Sequence, residues 1–263
     1  MPMKTYAQLA RQAVVTTSDA ASAYGGNRRL GTQMLDYLAR KGVLTQVRRG
    51  LYVPGPATNP NWKSDWDPYL VAGRIRPGAT VAFHSAFVVH GTAQNPSERT
   101  IHVATTQKVA PFTFEGVRFS PLKWDEKNLR RGSTVVARGG EILRVTRPEW
   151  TVAMCCRLIA RGGGFEEICQ SAAGLRRIDM KELLLATSNQ QSRGIYNRVG
   201  FVAWLNRRRW RVQPDELRPF RSRLSGSPAR FGAEYHDSIY VREWNLLVPA
   251  SGADLLEEEA SAT

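Results

Sequence analysis

The chain has 263 residues, 42% of them hydrophobic, a composition typical of a folded protein rather than a disordered one. Lys and Arg number 37 against 23 Asp and Glu, which gives a formal net charge of +14 and favours polyanionic partners. No apolar run approaches the roughly eighteen residues of a membrane span, and residues 1–9 do not resemble a secretory signal. We therefore expect a cytoplasmic protein with no membrane partner.

The basic residues are mostly arginines, whose planar fork suits phosphate groups. A GC-rich genome would also inflate the arginine content, but the clustering of these residues along the chain favours a function in binding. Three cysteines without a C-x-x-C pair or nearby histidines predict neither a zinc site nor a disulfide framework. They are expected to be buried apolar residues, and we predict no metal and no cofactor. The cysteines are Cys155, Cys156 and Cys169.

Three short helices are predicted in the first 41 residues. The second is expected to be capped by Ser18 and to stop at Gly25-Gly26, because glycine tolerates the positive φ of a tight turn. Asn27 is expected to cap a third helix that ends near Lys41, with Gly42 after it. The first helix is predicted from apolar residues at helical spacing: Tyr6, Leu9, Ala10, Ala13 and Val14.

The third helix separates an apolar arc from a polar one. Two short helices joined at a glycine turn are typical of a helix-turn-helix. A helix with this split is expected to bury its apolar arc and to expose its polar arc. The apolar arc comprises Leu30, Met34, Leu35 and Leu38, and the polar arc Arg28, Arg29, Thr32, Gln33, Asp36 and Arg40.

Residues 43–47 and 51–53, joined by a turn at Arg48-Arg49-Gly50, predict a β-hairpin with a basic tip. Residues 1–55 thus predict a winged helix-turn-helix. A helix fits the DNA major groove, where Arg reads guanine and Gln reads adenine, and the tip can reach phosphate or the minor groove. The alternative is a winged helix that docks a protein. The predicted DNA-binding residues are Asn27, Arg28, Arg29, Thr32, Gln33, Arg48 and Arg49.

Turn-forming residues at 54–61 predict a domain boundary. A larger mixed α/β domain is expected over residues 62–250, followed by an acidic, flexible tail at 251–263. The predicted fold class is therefore α+β. Strands are predicted near 100–104, 112–114, 117–119, 141–145 and 238–248, and helices near 85–90, 149–160, 165–173, 180–187, 192–206 and 215–224.

No catalytic constellation is evident, and we expect a protein that is not an enzyme. His84-Ser85 with His90 has no paired acid nearby in sequence, so a structural role is expected for these residues. Gly162-Gly163-Gly164 is not followed by the G-K-[ST] of a phosphate loop. Glu166, Glu167 and Asp179 lack the other carboxylates of a nuclease metal site.

A second basic cluster, interleaved with Trp204 and Trp210, lies within residues 206–230. It is typical of a nucleic-acid contact surface, but a face for an acidic protein partner and a merely solvated face are alternatives. The residues singled out as a second DNA or partner surface are Arg207, Arg208, Arg209 and Arg211.

The sequence resembles the AbiEi-type antitoxins of type IV toxin–antitoxin systems. The resemblance rests on the order and spacing of short motifs rather than on any one of them. These motifs are Tyr24 with Asn27-Arg28-Arg29, Gly42-Val43-Leu44, residues 47–53, His84 to Gly91, residues 101–105, and Arg147-Pro148-Glu149-Trp150-Thr151 with Gly162-Gly163-Gly164-Phe165.

The resemblance implies an antitoxin that binds repeats in the promoter of its own operon and represses it. It also implies that the larger C-terminal domain opposes a nucleotidyltransferase-type toxin encoded nearby. The alternative is a solitary winged-helix regulator whose C-terminal domain senses a ligand or oligomerises. A third reading, a nucleic-acid-processing enzyme with a winged-helix targeting module, lacks the necessary catalytic residues.

Overall fold

The fold is that of a computed structural model, which describes residue 9 and residues 12–57, 61, 65–96, 99–232, 238–253 and 255. The chain forms two compact units. The first comprises Met1–Val81, Glu98–Lys123 and Val135–Arg144, and the second Ala82–Ser97, Trp124–Thr134 and Val145–Thr263.

The N-terminal part of the first unit is a winged helix-turn-helix. Helices α1 (Thr17–Ala23) and α2 (Arg28–Arg40) are joined by the Gly25-Gly26 turn, and a hairpin of β2 (Leu44–Arg48) and β3 (Leu51–Pro54) follows. A short strand β1 (Val15–Thr16) pairs antiparallel with β3, giving the sheet order β1-β3-β2. The predicted helix-turn-helix and its hairpin are thereby confirmed.

Local hydrogen bonds fix where the two helices begin. Asn27 caps α2 as predicted, because its Oδ1 accepts a hydrogen bond from the Leu30 amide at 3.1 Å. The predicted cap of α1 was wrong: the cap is Thr16, not Ser18. Thr16 Oγ1 accepts from the Asp19 amide at 3.2 Å, while the Asp19 carboxylate accepts from the Thr16 amide at 2.8 Å. This reciprocal pair satisfies two amides at the helix start.

The predicted first helix is only partly within the described residues. Tyr6 and Ala10 lie outside them, and Leu9 is helical. The prediction was wrong for Ala13 and Val14, which lie in a bend that leads into β1. Val14 is nevertheless buried, because the strand that follows carries it into the core.

The two helices of the helix-turn-helix cross in close contact at Gly31. A Cβ atom at this position would lie 2.7 Å from the Ala21 amide nitrogen and 2.8 Å from the Ala20 carbonyl carbon. Both neighbours are backbone atoms, which cannot move aside as a flexible side chain can. Around this crossing the core consists of Leu9, Val15, Ala20, Leu35, Leu38, Val43, Leu44 and Tyr52.

The remainder of the first unit is built around helix α3 (Pro68–Gly73) and strands of a six-stranded sheet. The strands are β4 (Thr80–Val81), β5 (Thr100–Thr105), β6 (Phe112–Phe114), β7 (Val117–Lys123), β8 (Ser133–Arg138) and β9 (Glu141–Thr146). Their order is β6-β7-β5-β4-β9-β8, in which β5 pairs parallel with β7 and antiparallel with β4.

The strands predicted near 100–104, 112–114, 117–119 and 141–145 are present, whereas α3, β4 and β8 were not predicted. Helix α3 has a readable start signal, since Asp67 caps it and Pro68 occupies its first position. Strand β4 has only two residues, too few for a periodic pattern.

The second unit is mainly helical. Its helices are α4 (His84–Val89), α5 (Glu126–Arg131), α6 (Pro148–Arg157), α7 (Phe165–Ala173), α8 (Met180–Ser188), α9 (Ile195–Leu205), α10 (Arg207–Trp210) and α11 (Pro214–Arg221). The helices predicted near 85–90, 149–160, 165–173, 180–187, 192–206 and 215–224 correspond to α4, α6, α7, α8, α9 and α11. Buried along almost its entire length, α6 contributes Trp150, Val152, Met154 and Cys155 to the core.

A small sheet with the order β10-β12-β11 completes the second unit, formed by β10 (Ala229–Arg230), β11 (Ser238–Val241) and β12 (Leu246–Pro249). The prediction of one strand over 238–248 was wrong. The chain turns through a 3-10 helix, Arg242–Trp244, and through Asn245 with φ of +44°, so β11 and β12 pair antiparallel. Most of the predicted tail, including Glu257, lies outside the described residues, whereas Gly252 is buried.

With the winged helix-turn-helix at the N-terminus and a larger region of mixed helices and strands after it, the predicted α+β fold class is confirmed.

Candidate nucleic-acid interface

The exposed face of α2 presents two arginines and a glutamine. Arg28, Arg29 and Gln33 are exposed, and no described residue forms a hydrogen bond or ion pair with their side chains. Asn27 and Thr32 differ from them, because both are already engaged within the helix. Asn27 Oδ1 caps the helix, and the Thr32 hydroxyl donates to the Arg28 carbonyl at 2.9 Å.

Leu30 was predicted to be buried, and this prediction was wrong: 46% of its surface is exposed. The buried stripe of α2 runs through Gly31, Leu35 and Leu38, because the close contact at Gly31 turns that side of the helix toward α1. Leu30 is thereby displaced onto the polar face together with Tyr37, which is 49% exposed. The candidate interface of α2 therefore contains apolar groups as well as arginines.

The hairpin turns at Arg49-Gly50, where Gly50 adopts a φ of +80° that favours glycine. Gly50 also accepts a hydrogen bond from the Thr17 amide at 3.1 Å, which ties the tip to the start of α1. Arg49 is exposed, and among the described residues it has no partner. The tip is thus held in place while Arg49 stays exposed.

Arg48 is held quite differently from Arg49. Its guanidinium lies over the ring of Phe112, 4.8 Å from the centroid, in the favourable range for a cation–π contact. Burial and the neighbouring charge of Arg76 both lower the pKa of Arg48. Its Nη1 atom is buried, with no hydrogen-bond acceptor among the described residues.

Arg28, Arg48 and Arg49 line one cavity of about 460 Å³ within the first unit. We call it the arginine cleft. Its walls are formed by the start of α1, the first residue of α2, the hairpin tip and the loop after α3. The charged residues that line it are Arg28, Arg48, Arg49, Arg74, Arg76 and Asp19.

One arginine of the cleft is neutralised. Arg74 contacts the Asp19 carboxylate at 3.6 Å and the Glu141 carboxylate at 3.3 Å. Glu141 in turn accepts a hydrogen bond from the Ala13 amide at 3.0 Å. These contacts hold the loop after α3 against α1 and leave the other arginines of the cleft without a carboxylate partner among the described residues.

Sequence reasoning found Arg28, Arg48 and Arg49 but missed Arg74, Arg76 and Phe112. No local signal could have found them. Phe112 lies 64 residues from Arg48 in sequence, and only the folded chain brings its ring beneath the guanidinium.

The second basic cluster lies in the other compact unit. Arg208, Arg209 and Arg211 are exposed, whereas Arg207 is half-buried. Its guanidinium lies over the Trp204 ring, 5.1 Å from the centroid, and its Nη1 donates to the Trp204 carbonyl at 3.1 Å. Arg207 is thus partly occupied in holding the helix end, while its neighbours face solvent.

Two of the residues considered as catalytic candidates, His84 and Glu167, are buried and meet in one polar network. Glu167 accepts hydrogen bonds from Ser171 Oγ at 2.6 Å, from Asn95 Nδ2 at 2.7 Å and from the Gln94 amide at 3.0 Å. His84 Nε2 lies 3.0 Å from the same carboxylate. The carboxylate oxygens already have several donors, so the network ties the loop at residues 94–95 to α7.

His90, the other histidine considered, lies apart from this carboxylate, with Nε2 2.8 Å from the Thr146 carbonyl oxygen. Among the described residues, no three His, Cys, Asp or Glu side chains are grouped so that they would hold a metal ion. In the same part of the chain, no helix is both long and apolar enough to cross a membrane.

The geometry of the winged helix agrees with a comparison to known families. Residues 4–55 match the model of a family described as transcriptional regulator, AbiEi antitoxin. The N-terminal segment is AbiEi-like. The resemblance stated from the sequence is confirmed over these residues, which contain both helices and the hairpin. No curated protein matches the chain.

Almost the whole chain, and not only this AbiEi-like segment, is similar in fold to a solved structure. The crystal structure of the RV2827C protein from Mycobacterium tuberculosis covers 98% of this chain and 94% of its own length, with a TM-score of 0.62. The two sequences are 16% identical, so the likeness concerns the fold alone.

Proposed function

We propose that the protein is a sequence-specific DNA-binding antitoxin that represses its own operon and opposes a nucleotidyltransferase-type toxin. The proposal rests on the exposed side chains of Arg28, Arg29 and Gln33 on α2 of an AbiEi-like winged helix, with which no described residue pairs. A helix with such a face fits the major groove, where arginine and glutamine form paired hydrogen bonds with guanine and adenine.

The proposal assigns different tasks to the side chains of the winged helix. Arg28, Arg29 and Gln33 contact bases, and Arg48 and Arg49 contact the backbone, since hairpin tips position the protein on the duplex. Asn27 and Thr32 contribute to DNA binding mainly by fixing the conformation at the start of α2, because their side-chain oxygens already form hydrogen bonds within that helix. Leu30, exposed beside them, is suited to a thymine methyl group.

The two tasks are proposed to divide between the predicted domains. Residues 1–55 bind the operator, a duplex with repeats, and residues 62–250 oppose the toxin. The exposed arginines Arg208, Arg209 and Arg211, together with Arg207, are proposed as the second surface, for DNA or for the toxin partner.

The test is a gel-shift titration of the full chain on the duplex immediately upstream of its own coding sequence, with a scrambled duplex of equal composition as competitor. A preference of at least ~1000-fold is expected for a specific regulator. Equal affinity for both duplexes would contradict the proposal. Co-expression with the neighbouring gene then separates the antitoxin from a solitary regulator, because only the former protects cells from that gene's product.

A further inference from the structure

The arginine cleft contains more positive charge than its own carboxylates neutralise. Arg74 is paired with Asp19 and Glu141, and Asp19 is the one acidic residue among those that line the cleft. Arg28, Arg48, Arg49 and Arg76 thus share one cavity with no counter-charge of their own in the described part of the chain. Like charges so placed repel one another until an anion enters.

Arg48 is the residue of the cleft whose surroundings most directly suit an anion. Its Nη1 is buried and bonded to no described acceptor, although an unmade hydrogen bond on a buried charged group is costly. The Phe112 ring fixes the guanidinium from one side, so the group is already oriented before any ligand arrives. Arg76 is exposed on the loop opposite, near enough for its charge to act on Arg48.

The position of the cleft indicates where the anion comes from. The cleft extends from Arg28, the first residue of α2, to Arg49 and Gly50 at the hairpin tip. These are the two elements that would contact a duplex, so a DNA strand passing from one to the other would cross the cleft. Thr17 and Ser18 also line it, and their hydroxyls are of the kind that commonly bond phosphate oxygens.

We propose that the arginine cleft binds a backbone phosphate of duplex DNA, held between Arg48 of the hairpin and Arg76 of the loop after α3. The inference rests on the proposed function and extends the DNA contact beyond residues 1–55. A guanidinium pair suits a phosphate, since each planar fork donates two parallel hydrogen bonds to its oxygens. Arg74 is no ligand, because its carboxylate partners already occupy it.

The test compares Arg76→Ala with Arg118→Ala. Arg118 is an exposed arginine of the same compact unit that does not line the cleft, so both changes remove one positive charge. Binding of the full chain to the upstream duplex and to the scrambled duplex is titrated at several salt concentrations. Both side chains are exposed, and thermal unfolding of each variant should match the wild type.

We expect Arg76→Ala to bind both duplexes roughly five- to tenfold more weakly at 0.1 M salt, with a salt slope shallower by about 0.9, the change expected for one lost phosphate contact. Arg118→Ala should show a much smaller loss and an unchanged slope. Equal behaviour of the two variants would overturn the proposal while leaving specific DNA binding in place. Conversely, if the wild type does not prefer the upstream duplex, the proposed function fails. The affinities of the two variants for the scrambled duplex then still test whether the cleft binds phosphate.

A free phosphorylated ligand is the other source of the same chemistry. Inorganic phosphate and pyrophosphate are therefore added to the wild type and to Arg76→Ala in thermal unfolding. A stabilisation by either anion that Arg76→Ala abolishes, together with unchanged DNA affinity, would assign the cleft to such a ligand and overturn the DNA proposal.

Discussion

The guanidinium of Arg48 lies over the ring of Phe112, which itself stacks on Phe119 with centroids 4.7 Å apart. This stack connects the hairpin of the winged helix to a strand of the six-stranded sheet within one compact unit. Because the ring orients the arginine, the affinity for DNA should depend on a residue that does not touch DNA.

Phe112→Leu should therefore weaken binding to specific and scrambled duplexes about two- to fivefold, as expected for the loss of a cation–π contact of ~0.5–1 kcal/mol. Leucine keeps most of the apolar volume, so the fold should survive. Phe114→Leu, on the same strand, is the matched control, because Phe114 packs against Trp66 instead, with centroids 5.0 Å apart. Equal losses in the two variants, measured by gel shift, would show that general packing rather than Arg48 is affected.

Replacement of Arg29 or Gln33 by Ala should cost about 1–3 kcal/mol on the upstream duplex and relax the preference at one base pair. Both side chains are exposed on α2 and have no partner in the described part of the chain, so stability should change little. Competition binding with a series of single-base substitutions measures the effect. Were specific and scrambled duplexes to lose affinity equally, these residues would contact phosphates rather than bases.

Arg49→Ala at the hairpin tip should weaken binding to both duplexes by similar factors and reduce the salt slope by about 0.9. Arg40→Ala, a loss of the same charge in the last turn of α2, is the control and should leave the slope unchanged. Titration at four or more salt concentrations measures it. A slope that stays at the wild-type value in Arg49→Ala would mean that the tip does not contact the backbone.

Glu167→Gln should destabilise the protein by about 1–3 kcal/mol, because it leaves the buried Ser171 and His84 without a charged partner. Burial alone would raise the pKa of Glu167, but hydrogen bonds from Ser171, Asn95 and Gln94 and the nearby His84 together lower it below its ordinary value of 4.5. Urea unfolding measures the loss. The control is Glu166→Gln at the adjacent, half-buried residue. It makes the same charge change and should lower the free energy of unfolding much less.

The direction of these pKa shifts predicts stepwise acid destabilisation. Burial lowers the pKa of His90 from 6.5, outweighing the effects of its Thr146 hydrogen bond and of Glu149. The unfolded chain therefore binds a proton first, and stability falls as the pH drops below about 6.5. The contribution of Glu167 is complete above about 4.5 and is lost as the pH falls toward its lower folded value. His90→Gln should remove the loss of stability that begins near pH 6.5, as measured by urea unfolding between pH 7.5 and 5. If that loss persists in the variant, His90 is not its cause.

The three cysteines should resist alkylation in the native protein. All three are buried and free, and burial raises the pKa of Cys156 to about 12, despite the opposing charge of Arg198. Because the thiolate is the reactive form, iodoacetamide should modify none of them at pH 8 until urea unfolds the chain. Rapid labelling of Cys156 without denaturant, seen by mass spectrometry, would contradict its burial.

Sequence reasoning succeeded where the signal is local. The start of α2 follows from Asn27, whose side chain bonds three residues ahead. The burial of the cysteines follows from the lack of a zinc or disulfide pattern around them in the sequence. Leu30 shows where such reasoning stops. The periodicity of α2 allows more than one of its arcs to be buried. The close approach to α1 at Gly31 determines which arc is buried, and it depends on where α1 lies.

The arginine cleft could not be predicted for a related reason. Its walls come from residues 16–19, 28, 48–51 and 73–78, and no pattern within any one of these segments indicates the others. The basic character was evident from composition, but which arginines are paired depends on carboxylates distant in sequence. Arg74 and Arg76 lie two residues apart and differ in this respect only because of the fold.

Gly31 has a consequence for how the protein tolerates mutation. It offers no atom that could recognise a base, yet every side chain placed there would meet the Ala20 and Ala21 backbone. In a saturation screen selected for repression, position 31 should be as intolerant as the positions proposed to read DNA. Cellular abundance would separate the two classes. Replacements at Gly31 should lower the amount of folded protein, whereas replacements at Arg29 should leave that amount unchanged and lower only repression.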